Sequence, residues 1–166
     1  MARHLHHRRR TSQARVAVPA VHRLPRTARV RGAAAVRGER SPFEVLCDRL
    51  RANRVVCLMA DRDLTRTGVQ VDFFGEATRM PAGPAKLAIA TGAALLPVHV
   101  HFEGEGWRFL IYPALDCSSG DVGAITQVLA DHFEKNIAAH LEDWHMMQPQ
   151  WLADLPDSTR ARLRDS

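Results

Sequence analysis

A chain of 166 residues with a 46% apolar share has the length and material for one domain with a core. Its net charge of +5 averages two unlike parts: residues 1–38 hold ten arginines and no Asp, Glu or Lys. Removing those ten from the 23 basic residues leaves 13 against 18 acidic ones over residues 39–166, a net charge of −5, so the basic excess is no nucleic-acid signature of the folded part.

Cys47, Cys57 and Cys117 are odd in number, widely spaced and without a CxxC pair, which argues for reduced core thiols over disulfides or a cysteine zinc site. No apolar run approaches the roughly 20 residues that span a bilayer. Arg8-Arg9-Arg10 is followed by Thr-Ser-Gln-Ala-Arg and not by an apolar stretch, so no signal peptide is expected and the chain reads as cytosolic.

Residues 1–38 show neither helical nor alternating periodicity. They are expected to form a disordered basic tail, because so little apolar surface cannot offset the entropy of ordering. The segment could also act as a polybasic arm toward anionic lipid or RNA. Order is expected to begin near Ser41, in a domain taken as residues 39–166. Ser41-Pro42-Phe43-Glu44 has the form of a capping box with proline at the first helical position. Phe43, Leu46, Cys47 and Leu50 then share one helical face, and the helix should end near Ala52-Asn53.

Val55-Val56-Cys57-Leu58-Met59-Ala60 is a continuous apolar run, the pattern of a buried strand. A polar loop with a turn at Thr67-Gly68 leads to a second strand at Val71, Phe73 and Phe74. Pro81-Ala82-Gly83-Pro84 should open a helix that stops at Gly92. Ala94 to Phe102 reads as another buried strand, with Pro97 at a bulge or edge. Gly104-Glu105-Gly106 forms a hairpin turn into an alternating strand from Trp107 to Tyr112. Asp121 caps a long helix whose stripe runs through Val122, Ile125, Val128, Leu129, His132, Phe133, Asn136 and Ile137. The aromatic stretch from Trp144 to Leu155 is expected to be helical. This order predicts an α/β domain with a mixed central sheet flanked by helices.

The densest chemical constellation is Phe73-Phe74-Gly75-Glu76-Ala77-Thr78-Arg79-Met80-Pro81. A carboxylate leaving a strand end can orient an imidazole, and an arginine beside it can hold a phosphate. A salt bridge from Arg79 to Glu76 or Asp72 is the plain structural alternative. Asp61-Arg62-Asp63 falls where a strand end meets a loop, the usual ligand position of α/β sheets, or forms a solvated charge cluster. His99 and His101 alternate on a strand and share a face, a metal-binding geometry that lacks a third ligand in the sequence. Packing or hydrogen bonding is therefore the expected role. Trp144, His145 and Trp151 could line a lipid or sugar face, or close the edge of the core.

Glu-Ala-Thr-Arg resembles the Glu-Gly-Thr-Arg block of glycerolipid acyltransferases. The longer run from Val71 through Ala88, with Thr-Gly-Ala-Ala-Leu-Leu-Pro-Val after it, resembles the lipid A lauroyl (late) acyltransferase family. Within that family the likeness points to the actinobacterial phosphatidylinositol mannoside acyltransferases. Cys-Leu-Met-Ala-Asp-Arg-Asp-Leu-Thr-Arg from Cys57 and Glu-Asp-Trp-His-Met-Met-Gln-Pro-Gln-Trp from Glu142 carry it. The blocks span residues 38–155 and cover the C-terminal half of such a protein.

The resemblance implies a glycerolipid acyltransferase-like fold, incomplete here. It also implies transfer of a fatty acyl group from acyl-CoA to a mannose hydroxyl of phosphatidylinositol mannoside. Acyl-CoA is then the donor substrate, with no metal or other cofactor. The expected place is peripheral, on the anionic inner face of the plasma membrane. In the family a histidine of an H-x4-D/E block is the general base and a glutamate orients it. Glu76 matches the glutamate; Arg79, Arg40, Asp61, Arg62, Trp144 and His145 are the candidate substrate contacts. None of the histidines at 4, 6, 7, 22, 99, 101, 132, 140 and 145 has Asp or Glu five positions on. A truncated form with little turnover, exposed strand edges and a tendency to associate is the expectation. A non-enzymatic acyl-CoA- or lipid-binding module is the rival. The arginine segment has no aromatic residue for base stacking, which argues against nucleic acid.

Overall fold

The computed structural model describes residues 40–63 and 67–164. The arginine-rich tail and its expected disorder lie outside the described residues.

Helix α1 (Pro42–Arg51) begins as its sequence dictates. The Ser41 hydroxyl accepts from the Glu44 N–H at 3.3 Å, and the Glu44 carboxylate accepts from the Ser41 N–H at 2.8 Å. It ends at Ala52, with Asn53 in the left-handed region at φ 55°. Helix α2 (Gly83–Thr91) has proline in its first turn and stops at Gly92, φ 69°, where a side chain would be strained. The two helices pack on each other, and Arg51 donates to the Ala90 carbonyl at 3.3 Å.

Strands β1 (Val69–Phe73) and β2 (Glu76–Met80) form an antiparallel hairpin in which Phe73 faces Glu76 and Val69 faces Met80. Phe74 and Gly75, the two turn residues, both have positive φ (54° and 77°), as a type I′ turn requires. Glycine tolerates that conformation; phenylalanine rarely does. The strain is offset by helix α3 (Val122–Ala139), whose Glu134 carboxylate accepts from the Phe74 N–H at 2.6 Å. On the same side Gln127 accepts from the Asp72 N–H and donates to the Asp72 carbonyl, each at 2.9 Å. Its amide stands where a further strand would otherwise pair.

The core lies between this hairpin and α3. Val71, Phe73, Met80, Ala130 and Ile137 are buried together, with Val69, Phe133, Trp144 and Trp151 packed around them. Asp121 caps α3 by accepting from the Ala124 N–H at 3.0 Å. Val128, expected on the inner stripe, is instead 44% exposed.

The single mixed sheet expected from the sequence is corrected. The described strands form two separate two-stranded antiparallel sheets, the second from β3 (Val98–Glu103) and β4 (Gly106–Ile111). Residues 55–60 form no regular element and pair with no strand among the described residues, and Val55 is 90% and Met59 88% exposed. An apolar run records what a segment would bury and not what covers it. Ahead of β3, Leu95 accepts from the Leu115 N–H at 2.9 Å and Pro97 from the Tyr112 N–H at 3.0 Å. These bonds continue the hairpin without completing a ladder, and Pro97 lacks the N–H to do so. Val98, Val100 and Phe102 pair with Ile111, Phe109 and Trp107, so all six apolar side chains share one exposed face.

The stretch expected to be helical from Trp144 to Leu155 is also corrected. Short 3-10 turns at Leu141–Asp143 and Leu152–Asp154 flank an extended segment, and α4 (Asp157–Arg164) starts only after Pro156. Tertiary pairing overrides helix here. Trp151 forms an antiparallel bridge with Thr78, whose hydroxyl donates to the Gln150 carbonyl. The Trp151 indole N–H donates to the Phe73 carbonyl at 2.8 Å. Replacing Trp151 with Phe keeps a ring but removes that donor. The unfolding free energy is expected to fall by about 1–2 kcal/mol, read by urea denaturation followed by circular dichroism.

Candidate functional site

Hairpin β1–β2 positions the Glu-Ala-Thr-Arg run as a strand, whereas the sequence suggested a loop leading into a helix. Side chains alternate across a strand, so Glu76 and Thr78 lie on the core-facing side and Arg79 on the other. Thr78 is buried, Arg79 half-buried and Glu76 exposed. The structure therefore does not join Glu76 and Arg79 into one pair. They mark opposite ends of a strand about 10 Å apart.

At the tip, Glu76 sits across from Phe73 and directly after the strained turn. Phe73 packs edge-on against Phe74 and Trp144, with ring centroids at 4.8 and 6.2 Å. Phe74 stacks on Trp144 at 6.3 Å, and Trp151 meets Trp144 edge-on at 6.4 Å. The carboxylate thus emerges beside an aromatic wall. The Trp144 indole nitrogen is buried with no hydrogen-bond partner among the described residues. Neighbouring His145 is exposed.

At the other end, Arg79 donates to the Gly68 carbonyl at 2.6 Å, and the Asp63 N–H donates to the Arg79 carbonyl at 3.2 Å. The Asp63 carboxylate accepts from the Gly68 N–H at 2.8 Å. Arg62 reaches the Met146 sulfur at 3.9 Å and the Gln148 side-chain oxygen. The Asp61 carbonyl accepts from the Gln150 side chain at 3.0 Å. Asp61, Arg62 and Arg79, predicted from separate motifs, are therefore gathered at one end of the hairpin. Arg40 is not among them: it pairs with Asp48 at 2.6 Å on the exposed face of α1, and that carboxylate holds its guanidinium above the usual range.

The sequence left His99 and His101 without a third ligand; the structure supplies His140. The His101 and His140 rings lie 3.7 Å apart and nearly parallel, with His99 5.5 and 5.6 Å from them. Burial, and then the neighbouring imidazoles, push the His99 pKa below its usual value. No periodicity links residue 140 to a strand some forty positions earlier, so this grouping had no sequence signal beyond the paired histidines.

Residues 1–153 match the bacterial lipid A biosynthesis acyltransferase family, and the chain belongs to that family. The match takes in the arginine-rich segment as well as the blocks from residue 38 onward, up to residue 153. The chain is 77% identical over 127 residues to a phosphatidylinositol mannoside acyltransferase of Mycobacterium tuberculosis (strain CDC 1551 / Oshkosh), covering 76% of this chain and 40% of that protein. It is 73% identical over 126 residues to the protein of that name from Mycolicibacterium smegmatis, covering 76% of this chain and 41% of the relative. The chain spans about 40% of the length of the curated relatives it matches.

A Cβ added at Gly68 would lie 2.3 Å from the Asp63 carboxylate and 2.8 Å from the Met80 carbonyl. Gly68→Ala must therefore displace the loop that seats Arg79. A loss of about 1–3 kcal/mol is expected, measured by chemical denaturation, with Gly75→Ser as a comparison that meets strain but no contact.

Proposed function

We propose that this chain carries the glutamate half of an acyl-transfer site that acts on phosphatidylinositol mannoside. The observation that carries the reading is Glu76, placed solvent-open at the head of β2 within the Glu-Ala-Thr-Arg run of an acyltransferase-family chain. In the complete reaction a histidine accepts the proton of a mannose hydroxyl as its oxygen attacks the thioester carbonyl of acyl-CoA. The carbonyl carbon–sulfur bond then breaks, and the CoA thiolate takes up a proton. Glu76 orients the histidine and stabilises its charged form. Arg79 and Arg62, at the other end of the hairpin, suit phosphate groups of donor or acceptor.

This chain supplies no histidine in the H-x4-D/E pattern, and we expect little turnover from it alone. An apolar cleft between α1 and α2, lined by Leu50, Val56, Leu58, Leu87 and Leu95 among others, encloses about 50 Å³. Pockets that enclose a ligand run to about 300–1,000 Å³, so this cleft does not enclose a fatty acyl chain. The proposed location is the inner face of the plasma membrane.

A second reading, a non-enzymatic module for acyl-CoA or anionic lipid surfaces, is favoured by one observation. The outer face of β3–β4 exposes Phe102, Trp107 and Phe109 at 56%, 61% and 64%. Aromatic residues of that kind suit a lipid interface.

Incubation with radiolabelled palmitoyl-CoA and mannosylated phosphatidylinositol separates these readings. Product at background, unchanged by Glu76→Gln, is expected of the chain alone. Turnover lost on Glu76→Gln would support the site and overturn the low-turnover claim. Saturable vesicle binding without product, weakened by Trp107→Lys, would favour the binding module.

A further inference from the structure

Strand β3 and the C-terminal end of α3 are joined by unusual means. Helix α3 packs chiefly on β1, while the described polar links to the second hairpin are the Tyr112 hydroxyl on Asn136 and the Phe102 N–H on the Asp143 carboxylate at 2.8 Å. Between them lie three imidazoles. His99 and His101 project from the same face of β3, and His140 caps α3.

One ligand nitrogen from each of these histidines lies within 4.8 Å of the others. His101 is only 5% exposed. Its Nδ1, and Nε2 of His99, are buried with no hydrogen-bond partner among the described residues. Leaving such nitrogens unpaired costs about 1–3 kcal/mol each. Stacking of the rings does nothing to satisfy them, because the lone pairs lie in the ring planes.

We infer that His99, His101 and His140 form a site for a divalent transition cation of the zinc class, which pins the β3–β4 hairpin to the end of α3. Imidazole nitrogens suit zinc, cobalt, nickel and copper and suit magnesium or calcium poorly. Zinc–nitrogen bonds of about 2.0–2.1 Å require the three nitrogens to draw together to about 3.3 Å and the stacked His101 and His140 rings to turn out of parallel, so that their in-plane lone pairs meet at one ion. Three protein ligands leave a fourth position for water. A metal needs the neutral imidazole, the form that burial of His99 favours. Asp143, the one carboxylate that favours positive charge on His99, is already held by the Phe102 N–H and compensates a cation from the second layer.

The test uses the full chain with His4, His6, His7 and His22 changed to Gln, because these histidines would themselves take up metal. Titration of the metal-stripped protein with Co²⁺ is expected to give about one equivalent of saturable binding, with visible absorption that Zn²⁺ displaces. His140→Gln and His99→Gln should each weaken Co²⁺ binding by more than about tenfold while far-ultraviolet circular dichroism stays native. Absence of saturable binding overturns the site, as does unchanged affinity in both variants. If either variant loses its fold, ¹⁵N shifts of the three imidazoles on adding Zn²⁺ to the parent protein decide. Shifts confined to residues 99, 101 and 140 support the site, and none at those positions overturns it.

Discussion

The described structure depends on the bond between the Trp151 indole N–H and the Phe73 carbonyl, together with the Thr78–Trp151 bridge beside it. A two-stranded hairpin is marginal in water by itself. Here β1 is closed on its outer edge by Gln127 and Glu134 of α3, while β2 is closed by the returning chain at Gln150 and Trp151. Phe73, fully buried between them, is the side chain on which both closures converge. That arrangement holds the strained Phe74–Gly75 turn, and the turn sets where Glu76 emerges.

Local signals in the sequence are legible because their physics is local. The capping box at Ser41, the Asp121 cap, the left-handed Gly92 and the Gly104-Glu105 turn each satisfy backbone groups within a few residues. Where distant partners decide, the sequence alone does not show the outcome. Residues 55–60 have strand composition and no strand beside them among the described residues, and Trp144 to Leu155 gives up helix to pair with β2. The hairpin over Glu76 was hidden because its first turn position holds phenylalanine, a residue that rarely takes positive φ. His140 was invisible as a partner of His99 and His101, since only packing brings a helix end to that strand.

Family and site are legible to different depths. Family membership rests on residues along most of the chain, and the high identity to phosphatidylinositol mannoside acyltransferases narrows the chemistry proposed. The candidate site is divided. Glu76 lies at one end of β2 beside an aromatic wall, and the arginines gather at the other. The histidine group lies on different elements, and its proposed role is to hold the scaffold together, separate from acyl transfer. The apolar face of β3–β4 stays exposed in the described residues.

We propose that this chain contributes Glu76 and its surroundings to a catalytic pair whose histidine it does not supply. Complementation tests it most directly. The chain would be mixed with the part of the Mycolicibacterium smegmatis relative that it does not match, and acyl transfer to mannosylated phosphatidylinositol would be followed. Activity that appears only in the mixture, and disappears when Glu76 is changed to Gln, is the result predicted. Equal activity from the Glu76→Gln mixture, or full activity from this chain alone, would contradict it.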